Sequence, residues 1–81
     1  MKVFFFAQAR LAAGRDECHL ELESDRAITQ AEFWALLGQT YPALVSHQKT
    51  ARLARGEAYL HPGDLLYSHD EIAVIPPVSG G

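Results

Sequence analysis

The C-terminal residues are the part of this chain whose types and order could most directly take part in chemistry. The sequence runs from Pro76-Pro77 into Val78-Ser79-Gly80-Gly81, its final residues. Glycine enters backbone conformations closed to other residues, and its missing Cβ lets another molecule approach the backbone closely. Such a segment could be threaded into a narrow channel of another protein and present the Gly81 carboxyl group there. The alternative is a terminus that simply frays, as chain ends commonly do.

The other residues form no conventional catalytic or metal-binding pattern. The sequence contains no P-loop and no glycine fingerprint after a strand, so we do not expect it to bind ATP unaided. Asp70-Glu71 looks like a carboxylate pair, but acidic residues that lead out of a turn are usually solvated. The histidines belong to different predicted elements and lack the spacing of metal ligands, so we expect no metal at His19, His47, His61 or His69.

Size, charge and cysteine content narrow the class of protein. A chain of 81 residues is expected to form one domain with a single hydrophobic core. Its net charge of -3 leaves no basic surface for nucleic acid, and no segment has the length needed to cross a membrane. Cys18 is the only cysteine, which rules out an internal disulfide and agrees with a cytoplasmic location. We expect its thiol to pack as a small hydrophobic group.

The elements that must position the C-terminal segment begin with a predicted β-hairpin. Residues 2–7 are rich in aromatic and β-branched side chains, which favours a first strand. Gly14 marks a turn, and the alternation of apolar and polar residues over 18–22 predicts a second, half-buried strand. The two strands should therefore be neighbours in a sheet.

A helix is predicted next, with a clear start and stop. Thr29 followed three residues later by Glu32 forms a capping box, and Ile28 with Phe33 fits a hydrophobic staple. Pro42 should end the helix because it has no N–H to donate. One stripe of the helix should face the core, and it consists of Phe33, Leu36, Leu37, Thr40 and Tyr41.

Three more strands are predicted after this helix. Short β-type segments cover residues 51–55 and 57–60, and a last buried strand covers residues 71–75. Pro76-Pro77 stops the last strand, since neither proline can donate a hydrogen bond to a ladder. This order predicts an α+β domain, in which a mixed sheet of about five strands packs on one main helix.

An exposed apolar surface is predicted from the alternation of strand side chains. Phe4-Phe5-Phe6 cannot all enter one core, because successive strand residues point to opposite faces. With the middle ring inward, the other two rings lie outside, Ile75 also points out, and Tyr59 is expected nearby on the neighbouring strand. Scattered surface apolar residues are common, but a cluster of them on so small a domain is typical of a partner-binding surface.

Two motifs resemble the molybdopterin synthase small subunit family, a branch of the ubiquitin-like β-grasp proteins. The resemblance covers nearly the whole chain, and the C-terminal motif is specific both in sequence and in its position at the terminus. It implies a β-grasp domain over residues 1–76 and a flexible Gly-Gly tail over residues 77–81. The motifs are Phe5-Phe6-Ala7-Gln8-Ala9-Arg10 and Asp70-Glu71-Ile72-Ala73-Val74-Ile75-Pro76-Pro77-Val78-Ser79-Gly80-Gly81.

The resemblance also implies a sulfur carrier cycle. A separate activating enzyme uses ATP to adenylate the carboxylate of Gly81, and a sulfur donor displaces AMP to leave a covalent thiocarboxylate. The loaded tail then enters the large synthase subunit, where its sulfur attacks cyclic pyranopterin monophosphate. Two such transfers build the dithiolene of molybdopterin, in a heterotetramer of small and large subunits. The carrier itself is expected to hold no cofactor and to have no catalytic site of its own.

The resemblance assigns roles to particular residues as well. Gly80 and Gly81 are the implied reactive residues, and partner binding is expected at Phe6, Tyr59, Ile75, Pro76, Pro77, Val78 and Ser79. Two turns depart from the family pattern. Arg55-Gly56 stands where Asn-Gly or Val-Asn is frequent, and His69 stands where a glycine commonly precedes Asp-Glu.

Other functions remain open on the sequence alone. A carrier for thiazole in thiamine synthesis also ends in Gly-Gly, although that family is usually shorter and Pro-Pro-Val-Ser before the glycines argues against it. A ubiquitin-like modifier that forms isopeptide bonds with target lysines would use the same activated Gly81. A plain interaction module would have an incidental tail and would keep its function without Gly81.

Overall fold

A five-stranded sheet forms the frame of the protein, which we describe from a computed structural model over residues 1–23 and 25–77. Two α-helices and one 3₁₀ helix accompany the strands in this part of the chain. In chain order the elements are β1 (Lys2–Phe5), α1 (Ala7–Ala13), β2 (Glu17–His19), α2 (Gln30–Thr40), the 3₁₀ helix (Pro42–His47), β3 (Arg52–Arg55), β4 (Ala58–Tyr59) and β5 (Glu71–Ile75).

The sheet is mixed, with strand order β2-β1-β5-β3-β4. The first and last strands, β1 and β5, run parallel at its centre, with Phe5 opposite Val74. All other strand pairs are antiparallel. The C-terminal strand is therefore hydrogen-bonded on both sides. This arrangement confirms the predicted α+β architecture.

One hydrophobic core lies between the inner face of the sheet and α2. Strand alternation places every second residue of the central strands inward, as expected for a sheet with one covered face. The helix contributes buried residues one turn apart, which matches its predicted apolar stripe. The sheet residues of the core include Val3, Phe5, Leu53, Ile72 and Val74, and the helix residues are Phe33, Trp34 and Leu37.

The start of α2 confirms the predicted capping box. The Thr29 hydroxyl oxygen accepts a hydrogen bond from the Glu32 N–H at 3.1 Å, and the Glu32 carboxylate accepts one from the Thr29 N–H at 2.9 Å. That backbone hydrogen bond is also the main reason that the pKa of Glu32 lies below its ordinary value. The core stripe differs in one detail, since Trp34 is buried whereas Thr40 is exposed.

The connection between β1 and β2 was predicted wrongly. The two strands pair with Val3 opposite Cys18, but they are joined by the helix α1 rather than by a simple turn. The first strand ends at Phe5, and Ala7 turns the chain with a positive φ of 51°. The left-handed Gly14 ends α1 with a φ of 77°. A helix of only two turns carries too few residues for its periodicity to stand out from that of a strand.

Candidate docking face and C-terminal segment

The outer face of the sheet, opposite α2, carries a row of mostly apolar side chains. Register pairs place Phe4 opposite Ala73, Ala73 opposite Ala54, and Ala54 opposite Tyr59. Directly opposed residues on neighbouring strands project to the same face of a sheet. We call this surface the docking face, and it comprises Phe4, Phe6, Arg52, Ala54, Tyr59, Ala73 and Ile75.

The exposure of these residues follows the predicted alternation. Val3 and Phe5 are buried, whereas Phe4 is half-buried and Phe6 is 50% exposed. The Phe6 N–H donates to the Val74 carbonyl at 3.2 Å, which continues the β1–β5 ladder and places Phe6 beside the end of β5. An aromatic ring that is half exposed at a strand end is therefore available to a partner.

Tyr59 shares the docking face but lies farther away than expected. It belongs to β4, at the edge of the sheet, and β3 separates it from β5. At about 4.8 Å per strand, the row from β1 to β4 spans roughly 14 Å. The expectation of a neighbouring strand is wrong, because β3 rather than β4 pairs with β5. Tyr59 is 47% exposed and bounds the face on that side.

Two cations lie on aromatic rings of this face. The Lys2 ammonium lies 5.5 Å from the centre of the Phe4 ring and 3.3 Å from the Glu17 carboxylate. The Arg52 guanidinium lies 3.9 Å from the centre of the Tyr59 ring. Arg52 was not predicted as part of this face, because its position opposite Ile75 depends on the pairing of two strands that are distant in the chain.

The C-terminal segment leaves the sheet beside the docking face. After β5, Pro76 is buried and Pro77 is exposed, so the first ring anchors the end of the strand while the second reaches the surface. Both positions fit a strand stop, since proline has no N–H for the ladder. The reactive and partner-binding roles predicted for Val78, Ser79, Gly80 and Gly81 fall outside the described residues.

A buried ion pair fixes the loop that precedes β5. The Arg55 guanidinium donates to the Asp70 carboxylate at 2.7 Å and to the Leu65 carbonyl at 2.9 Å. The same Asp70 oxygen accepts the Tyr67 N–H at 2.9 Å, and only 8% of the Asp70 side chain is exposed. The expectation of a solvated Asp70 is therefore wrong. Arg55, which departs from the family pattern, is the residue that neutralises it.

His69, the other departure, lies on the surface beside this ion pair. Its ring stacks on Tyr67 with centroids 6.0 Å apart, and its Nε2 lies 3.9 Å from the second Asp70 oxygen. The side chain is exposed. The substitution of a histidine for a turn glycine is thus accommodated without burying the imidazole.

Cys18 lies on the inner side of β2 and is buried. Burial raises the pKa of its thiol, and a hydrogen bond with the Tyr41 side chain opposes this effect. A thiol of this kind is mostly protonated at neutral pH and reacts slowly as a nucleophile. The predicted structural role agrees with this environment.

The cavities of the described chain are open grooves. A groove of about 470 Å³ lies against α2, and its lining includes Leu22, Arg26, Ile28 and Glu32. Among residues 1–23 and 25–77, no three His, Cys, Asp or Glu side chains come together as a metal site would require. Neither α-helix in these residues has both the length and the apolar character needed to span a bilayer.

Solved structures with the same fold include two archaeal proteins. SAMP1 from Haloferax volcanii superimposes with a TM-score of 0.76 at 24% identity and covers 100% of this chain and 98% of its own. A putative molybdopterin converting factor, subunit 1, from Pyrococcus furiosus gives a TM-score of 0.75 at 22% identity, with 95% of both chains covered. At these identities the similarity shows the fold alone, and it confirms the ubiquitin-like β-grasp architecture.

Similarity at the sequence level is stronger. The molybdopterin synthase sulfur carrier subunit of Chlamydomonas reinhardtii is 41% identical, over 100% of this chain and 98% of the relative. The subunit of the same name from Caenorhabditis briggsae is 37% identical, over 100% of this chain and 96% of the relative. The model of the ThiS family matches residues 3–81. Because this match spans nearly the entire sequence, the chain belongs to the ThiS family.

Proposed function

We propose that this chain is the sulfur carrier subunit of a molybdopterin synthase. The observation that carries the proposal is similarity along the whole chain to relatives that bear this name. The family also includes carriers whose chemistry serves other products, so the family assignment by itself would leave the product open. The name shared by relatives that match this chain over its whole length favours molybdopterin.

The reaction assigned to the chain takes place at the Gly81 carboxylate. A carboxylate resists nucleophilic attack, so it must first attack the α-phosphorus of ATP and release pyrophosphate, which leaves an acyl adenylate. A sulfur nucleophile then attacks the acyl carbon and AMP departs with the oxygen it gained, which leaves a thiocarboxylate. In the synthase, the thiocarboxylate sulfur attacks a side-chain carbon of cyclic pyranopterin monophosphate, and a C–S bond forms as a C–O bond of that carbon breaks and its oxygen leaves in a phosphate group or as water. Hydrolysis of the resulting acyl bond returns the carboxylate for another cycle.

The folded domain supplies the docking surface for this chemistry. Phe6 and Tyr59 are about half exposed, and Ile75 lies between them on the strand from which the C-terminal segment departs. Large aromatic side chains at the centre of an interface commonly carry much of the binding energy. In our proposal the large synthase subunit covers this face and receives the segment that follows Pro77.

The remaining partners follow from the chemistry. The chain offers no ATP-binding motif, so a separate activating enzyme must adenylate Gly81, and a sulfur donor must supply the second nucleophile. We place these steps in the cytoplasm, where the free thiol of Cys18 would stay reduced. The synthase is proposed as a heterotetramer of small and large subunits.

Intact-protein mass spectrometry tests the loading step. The chain is incubated with ATP, an activating enzyme and a sulfide source. We expect a mass increase equal to the replacement of one oxygen by one sulfur, located at Gly81 by fragmentation. A variant with one alanine added after Gly81 is the control, because its folded domain is the same. We expect it to load poorly, and any increase in its mass should be located at the added alanine. An unchanged mass for the natural chain under conditions that load a known carrier would refute the proposal.

A further inference from the structure

Arg52 is the first residue of β3 and belongs to the docking face. It pairs directly with Ile75 on β5, and it is a diagonal neighbour of Tyr59, since Ala54 is the residue opposite that tyrosine. Diagonal neighbours across two strands come within reach when one of them has a long side chain. The guanidinium accordingly lies 3.9 Å from the centre of the Tyr59 ring.

This guanidinium makes no hydrogen bond or ion pair with residues 1–23 or 25–77, and its one contact there is with the ring. Other arginines have carboxylate partners, such as Asp70 for Arg55 and Asp16 for Arg10. A contact with the face of an aromatic ring consumes none of the five N–H donors of the guanidinium. Those donors are therefore available to a partner.

No acidic residue of the described outer face is placed to take up these donors. Glu17 pairs with Lys2 on the far side of β1. Glu71 lies four residues before Ile75 on β5, which places it roughly 13 Å along the sheet from Arg52. A partner that covers Ile75 and Tyr59 therefore covers an arginine whose charge this face does not balance.

A partner that covers Arg52 must compensate for the desolvation of its guanidinium. Arginine stays protonated in proteins, so covering it removes water from a permanent charge. An interface tolerates such a group when a carboxylate receives it, and the planar guanidinium suits a two-bond contact with Asp or Glu. Stacking on Tyr59 also limits the freedom of the Arg52 side chain before the partner arrives.

We propose that Arg52 is a specificity-determining residue, and that the large synthase subunit places an Asp or Glu carboxylate against it beside Tyr59. This inference rests on the proposed function, because it names the chemistry of the partner in that assembly. It assigns much of the attraction between the subunits to one arginine in a mostly apolar face.

The first test measures the dissociation constant between the purified chain and its cognate large subunit by calorimetry, at low and high salt. We expect Arg52→Leu to weaken binding about tenfold or more and to reduce the salt dependence. Arg52→Lys should recover only part of the affinity, since an ammonium group lacks the planar fork. Lys49→Leu is the matched control, because Lys49 is exposed in the turn after the 3₁₀ helix and should change the affinity less than twofold.

The second test is a charge reversal. Arg52→Glu should nearly abolish binding, and a lysine in place of one acidic residue of the large subunit should restore it. The inference is overturned if the wild-type chain binds and Arg52→Leu binds equally well, or if no lysine substitution rescues Arg52→Glu. If the wild-type chain does not bind the large subunit at all, the proposed function fails along with the inference. Circular dichroism spectra confirm that each variant is folded.

Discussion

Single residues in this protein divide into those that build the core and those that present a surface. Alternation along β1 shows the division most clearly, since Phe5 is buried at 3% exposure while the next residue, Phe6, is half exposed. A phenylalanine exposed at a strand end contributes little to the stability of the core. Its position beside the exit of the C-terminal segment therefore points to a role in binding.

Replacing Phe6 with alanine should weaken binding to the large subunit. A central aromatic side chain typically contributes about 2 kcal/mol or more when it is truncated, which corresponds to a rise of more than tenfold in the dissociation constant. The free energy of unfolding should change little, since half of the ring already contacts water. Leu11→Ala is the control, because Leu11 is 69% exposed on α1 and lies outside the docking face. Equal effects of the two substitutions on affinity would contradict the assignment.

Cys18 provides a prediction on pH. Burial raises the pKa of its thiol above the ordinary value of a cysteine, so the folded protein holds the proton more tightly than the unfolded chain. The resulting stability is fully present below the unfolded pKa and is lost as the pH rises through the folded pKa. In urea unfolding from pH 7 to pH 10.5, the stability advantage of wild type over Cys18→Ala should shrink above about pH 9. A constant difference across this range would show that the thiol does not titrate differently on folding.

At the scale of elements, the ion pair between Arg55 and Asp70 joins β3 to the loop that leads into β5. Breaking a buried pair by removing one partner commonly costs about 3–5 kcal/mol. Since the Arg55 side chain is 35% exposed, we expect Asp70→Ala to destabilise the protein by about 2–3 kcal/mol, at or below the low end of this range. Asp70→Asn should cost less, because its side-chain oxygen can still accept the Tyr67 N–H.

Denaturant unfolding of these variants gives the measurement. Lys2→Ala is the control, since the ion pair of Lys2 with Glu17 is about half exposed and should contribute less than about 1 kcal/mol. If Asp70→Ala proved no more destabilising than Lys2→Ala, the ion pair would not hold the loop in the way described.

The contact between α2 and the 3₁₀ helix yields a second prediction for the elements. A Cβ at Gly38 would lie 2.9 Å from Cγ2 of Val45, too close for both side chains to keep their positions. Alanine in place of a helical glycine would otherwise stabilise the helix by about 1 kcal/mol. We therefore expect Gly38→Ala to stabilise the Val45→Ala variant by at least about 0.5 kcal/mol more than it stabilises wild type. Thermal unfolding of the four proteins measures this coupling, and an equal effect in both backgrounds would rule out the steric conflict.

The elements also show what the sequence could and could not predict. The start of α2 and the whole of β5 were predicted correctly because their signals are local: a capping box in one case and a proline stop in the other. Helix α1 was missed, since seven residues give little periodicity and the positive φ of Ala7 has no sequence signature. The environments of Asp70 and Arg52 depend on partners in other strands. Such contacts follow from sheet register, which a single sequence does not specify.

On the scale of the whole molecule, the sheet order gives the C-terminal strand a central position. β5 is flanked by β1 and β3, and Val74 is fully buried between them. A strand paired on both sides is among the last parts of a small domain to open. The chain thus delivers its final residues from a rigid point next to the docking face. In the proposed function, this domain positions a carboxyl group and its partners supply the catalytic groups.

A single turnover of the assembled synthase tests whether the sulfur of molybdopterin comes from the thiocarboxylate of Gly81. Purified thiocarboxylate carrier is mixed with the large subunit and cyclic pyranopterin monophosphate, without ATP or any other sulfur source, and molybdopterin is quantified after conversion to a fluorescent derivative. We expect one molybdopterin for every two loaded carriers, with Gly81 returned to a carboxylate, and none from a chain that lacks Gly81. Formation of molybdopterin at the same rate with the unloaded or truncated chain, or no product from the loaded carrier, would contradict it.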